Sequence, residues 1–257
     1  MSNLILIAGP CVIENNDITY YIVNKLIKIT KDLNVDLIFK ASYKKANRSD
    51  LNSFTGIGDI EALKILKNIK EQYNIPVITD VHETIEVALA SSYVSYLQIP
   101  AFLCRQTDLL ISAGKTNSIV NVKKGQWMSP ESMKNVVEKV KSVSTGEVWL
   151  TERGSSFGYK DLVVDMTSIP IMKRYADKVI MDCTHSVQKP NNGNTTGGNP
   201  EMIETLAVAA TAVGVDGLFF EVHPNPSESL SDASSILHID KLYDILVKCL
   251  RIKNALQ

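Results

Sequence analysis

The side chains best suited to chemistry in this sequence are basic residues that recur just after short apolar runs. Lys40, and then Lys45 and Arg48, follow the run Leu37–Lys40; Arg105 follows Tyr96–Ile99; Lys123 closes Ile119–Lys123; Arg153 follows Val148–Thr151. Acids and histidines hold the equivalent places elsewhere: Asp80, His82 and Glu83, then Asp182 and His185, then Glu221 and His223. The residues preceding the runs are bland. Ends that merely faced solvent would also be polar, but that accounts poorly for cations arriving from four different runs. Gathered at one opening, such cations repel and desolvate at a cost unless anions neutralise them. Phosphates and carboxylates accept charge-assisted, often bidentate hydrogen bonds from them, each worth about 1.5–3 kcal/mol. The pattern therefore predicts a site for a polyanion or for two phosphorylated ligands.

A second constellation is Cys11, His185, Glu221 and Asp232: one thiol, one imidazole and two carboxylates, a donor set a divalent cation accepts. No local ligand spacing announces it. On residue types alone, Cys11 after the Gly9-Pro10 turn reads as a small buried hydrophobe. Cys104, Cys183 and Cys249 read as structural, His82 and His223 as hydrogen-bonded supports, and His238 as a surface residue.

Positioning these groups falls to eight short runs rich in β-branched and aromatic residues: Leu4–Ala8, Leu37–Lys40, Val77–Thr79, Tyr96–Ile99, Ile119–Lys123, Val148–Thr151, Val179–Asp182 and Gly217–Glu221. They are too short for helices and continuously apolar, as parallel strands covered on both faces are. Amphipathic stretches alternate with them, about Asp17–Leu33, Asp59–Gln72, Thr84–Ser91, Thr107–Lys115, Ser129–Lys141, Val163–Ala176, Glu201–Val213 and Asp240–Asn254. Eight strand–helix units imply right-handed crossovers and an α/β fold, a single-domain (β/α)8 TIM barrel over residues 1–257, close to the usual length of that barrel. An open flavodoxin-like sheet with a second domain is the competing architecture, but no linker, composition break or glycine-rich dinucleotide fingerprint supports it. Within each strand alternation places Asn121 and Lys123 on one face and Lys124 on the other. Two polar loops, Gln188–Pro200 and Pro224–Ser235, follow the seventh and eighth strands on the face where barrel enzymes keep their chemistry, where a lid is expected.

Composition removes other classes. With 27 basic and 28 acidic residues the net charge is −1, so no global field favours nucleic acid or a membrane, and no aromatic-interleaved basic stripe is present. The four cysteines form no CxxC pair, as expected in a reducing cytosol. The apolar start, MSNLILIAGP, is too short for a signal peptide or a span and reads as a first strand, so a cytoplasmic location is expected.

Six strings carry a resemblance: KANRS (45–49), QIPAFLCRQTDLL (98–110), VNVKKGQ (120–126), TERGSSFGY (151–159), DCTHSVQ (182–188) and LSDAS (230–234), with AGPCVIE near the start. In this order they resemble the 3-deoxy-D-manno-octulosonate 8-phosphate synthases over nearly the whole chain. The resemblance implies a (β/α)8 barrel, typically a homotetramer, that condenses phosphoenolpyruvate with arabinose 5-phosphate and releases phosphate, on the route to the inner sugar of lipopolysaccharide. It implies that Lys40, Lys45 and Gln98 hold the phosphoenolpyruvate carboxylate end, and that Lys123, Arg153 and the Ala101 backbone hold its phosphate. It further implies that Asn47, Arg48 and Ser49 receive arabinose 5-phosphate, with Arg105 reaching in from a neighbouring subunit. That family divides at the position after the first strand, Cys in its metal-dependent branch and Asn in the other, so Cys11 reverses its bland reading. A divalent metal ion (zinc, iron, manganese or similar) is then held by Cys11, His185, Glu221 and Asp232. His185 and Asp232 are also candidates for proton relay, a step that sequence does not assign. Two departures stand out: Lys44, where an acid is usual, and Asn199-Pro200 after the paired glycines.

Three rival readings compete with this one. The related synthase that uses erythrose 4-phosphate resembles a KPRTS pattern where this chain has KANRS, and Asn47 suits a sugar hydroxyl that the shorter acceptor presents differently. A catalytically dead sugar-phosphate sensor would lose the metal donors, yet all four are present. A nucleic-acid binder conflicts with the charge pattern above.

Overall fold

The structure, a computed structural model, describes residues 3–48, 51–156, 161–189 and 197–256. Strands β1 (Ile5–Gly9), β2 (Asp36–Lys40), β3 (Val77–Asp80), β4 (Tyr96–Ile99), β5 (Ile119–Lys123), β6 (Val148–Glu152), β7 (Lys178–Asp182) and β8 (Gly217–His223) pair in parallel in chain order. The last strand pairs back onto the first, from Ile5 opposite Gly217 to Gly9 opposite Glu221. This is the closed (β/α)8 barrel that the alternation of strand and helix predicts. Closure satisfies both edges of every strand, which an open sheet leaves unpaired.

Helices α1 (Asn16–Leu33), α2 (Asp59–Tyr73), α3 (Thr84–Ser91), α4 (Thr107–Gly114), α5 (Met133–Lys141), α6 (Ser168–Met172), α7 (Ile203–Ala212) and α8 (Leu242–Ala255) cover the outside. In α1, Thr19, Ile22, Val23, Leu26, Ile29 and Thr30 are buried, one stripe at helical spacing. Asn15 caps it by accepting from the Ile18 amide at 2.9 Å, and Asn34 ends it in the left-handed region. Three expected helices are shorter in fact. The expected 163–176 helix holds only α6, because Val163 bridges to Ser155 and Asp165 accepts from the Thr167 amide, ending the extended segment before a helix begins. Residues 129–132 turn rather than wind, and Pro200 opens a short 3₁₀ turn that leads into α7. The Asn199-Pro200 departure is therefore a helix entry, a place that tolerates proline's missing N–H.

Strand alternation stratifies the barrel interior. Ile5, Ile7, Ile38, Ile78, Trp149, Ile180 and Phe219 form a buried apolar plug toward the strand starts. The next inward residues are polar but matched: Gln98 Nε2 donates to Asn121 Oδ1 at 2.8 Å, and Asn121 Nδ2 to Thr151 Oγ1 at 2.8 Å. Above them, at the strand ends, come Lys40, Asp80, Lys123, Arg153, Asp182 and Glu221. Charge is confined to the mouth because the plug below offers it no partner. Gly9 is needed at one close approach, where a Cβ would overlap the Lys40 carbonyl.

Candidate active site

A cavity of about 860 Å³ opens at the C-terminal end of the strands. Its wall includes Lys40, Lys45, Asn47, Arg48, Gln98, Ala101, Lys123, Arg153, His185, Glu221 and Asp232, so most of the expected site residues converge on one chamber. Two described ones, Cys11 and Arg105, are not part of this wall. The Arg105 side chain is exposed and outside this wall, because the 3₁₀ turn Ala101–Leu103 carries the chain outward after β4. Ser49 lies outside the described residues, as do 190–196 of the expected lid. The described ends of that loop, Gln188–Lys189 and Gly197–Gly198, pair in an antiparallel ladder.

The lysines at the mouth are not bare; acids behind Lys40 and Lys123 hold them in place. Lys40 Nζ lies 3.2 Å from Asp80 Oδ1 and donates to Ser42 Oγ at 3.0 Å. Asp80 in turn contacts His82 Nε2 at 3.0 Å, and His82 Nδ1 lies 3.3 Å from Glu86 Oε2. Burial alone would raise the Asp80 carboxyl, but Lys40 and His82 hold it well below the usual carboxylate range. Lys123 Nζ is 2.7 Å from Asp182 Oδ2 and sits 4.1 Å over the Phe219 ring centre. Burial pushes the Lys123 ammonium down, and neighbouring Lys40 adds to that, while Asp182 opposes both. Arg153 Nη2 donates to Gln188 Oε1 at 3.1 Å, and its buried Nη1 has no hydrogen-bond partner among the described residues. Behind Arg153, Glu152 accepts the amides of Arg153 and Gly154 at 3.0 and 2.8 Å, which fixes the turn that aims the guanidinium. Gly154 occupies the left-handed region there, at φ 88°.

Cys11, Glu221 and Asp232 each place a donor atom within 4.8 Å of the others. His185 stands beside this group, its Nε2 3.7 Å from Glu221 Oε1, without reaching all three. Asp182 orients that ring, taking His185 Nδ1 at 2.8 Å, and turns Nε2 toward the group. Burial raises the Cys11 thiol far above its usual range, the Glu221 and Asp232 charges add to this, and Lys45 opposes it. Lys45 is raised overall: burial lowers it, but Cys11, Glu221 and Asp232 more than compensate. Glu221 Oε2 is buried without a hydrogen bond. An orphaned carboxylate oxygen beside a thiol and a second carboxylate suits a divalent cation, which would also draw the proton from Cys11.

Lys44 does not crowd Lys45. It turns away to an ion pair with Glu86, with Asp59 at 3.6 Å. Cys104, Cys183 and Cys249 are buried as expected, and His82 and His223 are hydrogen-bonded supports as read. Sequence reasoning placed Asp80 and Asp182 at strand ends without assigning them to the site. Their signal was alternation: each shares the inward face with the apolar plug residue two positions earlier, Ile78 or Ile180. Ser231, which accepts from Arg48 Nη1 at 2.7 Å, carried no such signal.

Fold and site together define a (β/α)8 barrel with buried cations gathered in one chamber at its mouth. The chain belongs to the DAHP synthetase I family, whose profile matches residues 2–257. Three relatives bear the name 2-dehydro-3-deoxyphosphooctonate aldolase. That of Trichlorobacter lovleyi is 50% identical over 244 residues, covering 95% of this chain and 90% of the relative. That of Koribacter versatilis is 49% identical over 256 residues, covering 98% and 92%. That of Campylobacter jejuni subsp. jejuni is 45% identical over 269 residues, covering 100% and 99%.

Proposed function

We propose that this enzyme condenses phosphoenolpyruvate with arabinose 5-phosphate and water, giving 3-deoxy-D-manno-octulosonate 8-phosphate and phosphate. The carrying observation is one chamber with two separately anchored cationic regions, Lys123 with Arg153 and Arg48 with Asn47, and an acid–thiol cluster beside them. The names borne by the full-length relatives support the same reading over the erythrose 4-phosphate alternative.

C3 of phosphoenolpyruvate bonds to the aldehyde carbon, whose oxygen takes a proton, and water adds at C2. The C2 hydroxyl then loses its proton as the C2–O bond to phosphate breaks, leaving a 2-keto acid. Lys123 and Arg153 bind the donor phosphate and stabilise charge growing on it as it departs. Lys40, Lys45 and Gln98 take the carboxylate. Asn47 and Arg48, with Ser49, receive the acceptor. His185, oriented by Asp182, and Asp232 are placed to hold a proton at the chamber wall. Cys11, His185, Glu221 and Asp232 would hold a divalent ion, which when bound supplies Lewis acidity toward the aldehyde or the attacking water.

A homotetramer in the cytoplasm completes the reading. The exposed Phe102–Trp127 ring pair, 6.1 Å between centres, suits burial against a second copy. Among the described residues no helix is long and apolar enough to cross a membrane.

The test is phosphate release from phosphoenolpyruvate with either aldose phosphate. Turnover with arabinose 5-phosphate alone is expected; turnover with erythrose 4-phosphate alone overturns the acceptor assignment, and silence with both favours a sensor.

A further inference from the structure

The segment after β1 carries an acid that the reaction above does not use. Glu14 is buried, 7% exposed, on a stretch held to the β2 exit by the bond from the Ile13 amide to the Ser42 carbonyl at 3.0 Å. Its Oε1 accepts from Ser229 Oγ at 3.0 Å and from the Leu230 amide at 3.0 Å, and its Oε2 lies 3.7 Å from His223 Nε2. Ser229 and Leu230 belong to the loop after β8, and His223 is the last residue of that strand. A buried carboxylate is costly without such donors, so the loop and the acid fix one another.

The same loop holds Arg48 from its other side. Arg48 Nη2 donates to the Leu230 carbonyl at 3.3 Å and Nη1 to Ser231 Oγ at 2.7 Å, while Asp232 stands 4.0 Å away. Leu230 is thus gripped at its N–H by Glu14 and at its C=O by Arg48. Both anchored nitrogens of the guanidinium rest on a loop that is exposed in part, and Nε has no hydrogen-bond partner among the described residues. The loop has no regular ladder at this point. Asp232, two residues on, sits in the left-handed region at φ 50°, where a residue other than glycine needs surrounding contacts to stay.

We propose that Glu14 is a positioning residue for the acceptor: by clasping Ser229 and Leu230 it fixes the loop that aims the Arg48 guanidinium at the phosphate of the incoming aldose phosphate. This rests on the reading of Arg48 as an acceptor-phosphate group. Most of the donor pocket stands apart from the clasp, since Lys40, Lys123 and Arg153 lean on Asp80, Asp182 and Gln188, while Lys45 faces Asp232 of the same loop. The effect of losing Glu14 therefore falls mainly on one substrate.

The experiment compares the full-length wild type with Glu14→Ala and Glu14→Gln, by amide hydrogen exchange over residues 228–235 and by KM for each substrate. Glu14→Ala is expected to speed exchange in that segment. It raises KM for arabinose 5-phosphate about tenfold, the loss of one well-placed charged hydrogen bond, while KM for phosphoenolpyruvate stays within about twofold. Glu14→Gln keeps an oxygen acceptor for the Leu230 amide and stays near wild type in both readouts. Unchanged exchange in Glu14→Ala, an equal rise in both KM values, or a glutamine variant as impaired as the alanine one overturns the proposal. Should the wild type not turn over arabinose 5-phosphate, the functional reading falls, and the exchange arm still decides the clasp. Should Glu14→Ala not fold, Ser229→Ala carries the same comparison, with exchange again expected to rise in the loop and unchanged exchange counting against the clasp.

Discussion

Asp182 is the residue whose replacement reports most directly on the electrostatic logic of the mouth. It is fully buried and receives Lys123 Nζ at 2.7 Å, His185 Nδ1 at 2.8 Å, and the amides of Thr184 and His185 at 3.1 and 2.9 Å. Asp182→Asn preserves shape and retains an oxygen for the two amides, so the turn after β7 survives while the charge goes. Breaking a buried pair costs about 3–5 kcal/mol when the other charge is stranded, but Lys123 escapes part of this by releasing its proton. Its ammonium is already pushed down by burial and by Lys40, and Asp182 is the first group raising it. Removing Asp182 therefore lowers the Lys123 pKa further. A charged hydrogen bond of about 1.5–3 kcal/mol corresponds to roughly one to two pH units at 1.4 kcal/mol per unit.

On the proposed role of Lys123 its protonated form binds phosphate, so activity is expected to disappear as pH rises through its pKa, and in the variant to disappear at lower pH. The assay is the pH profile of kcat/KM for phosphoenolpyruvate at saturating acceptor, in which the alkaline limb reports the free enzyme. The limb is expected to move down by that amount, with a loss of about ten- to hundredfold in kcat/KM above it. A variant whose limb coincides with wild type, at equal kcat/KM, refutes the assignment of Lys123 as a phosphate cation sustained by Asp182.

Two further outcomes follow from the geometry. Gly9→Ala places a methyl against the Lys40 carbonyl, wedging β1 from β2; a stability loss of about 1–3 kcal/mol or more is expected from thermal melting, and an unchanged melting temperature contradicts the close approach. The wild type is expected to be inhibited by chelators and restored by added divalent metal, and Cys11→Asn to retain activity without that inhibition; unchanged chelator sensitivity removes Cys11 from the ligand set.

Much of the molecule was legible from the chain alone, because the barrel's strands are continuous apolar runs and their period of two propagates without reference to anything distant. Lys40, Lys123 and Glu221 could be placed at one mouth from that rhythm, since a parallel strand ending in a charge has a single wet end at which to put it. Alternation also contained Asp80 and Asp182, yet their role was invisible: whether an inward acid backs a neighbouring lysine depends on the relative heights of adjacent strands, which barrel stagger sets and no local pattern encodes. Helix ends were misjudged where side chains captured the backbone, as Asp165 does before α6. The clasp of Glu14 on Leu230, and that of Arg48 on Ser231, join residues some two hundred positions apart across the closing seam between β8 and β1. Sequence determined which groups reach the mouth; only closure of the barrel decided which of them touch, because hydrogen bonds act over about 3 Å and that proximity exists only once the first strand has met the last.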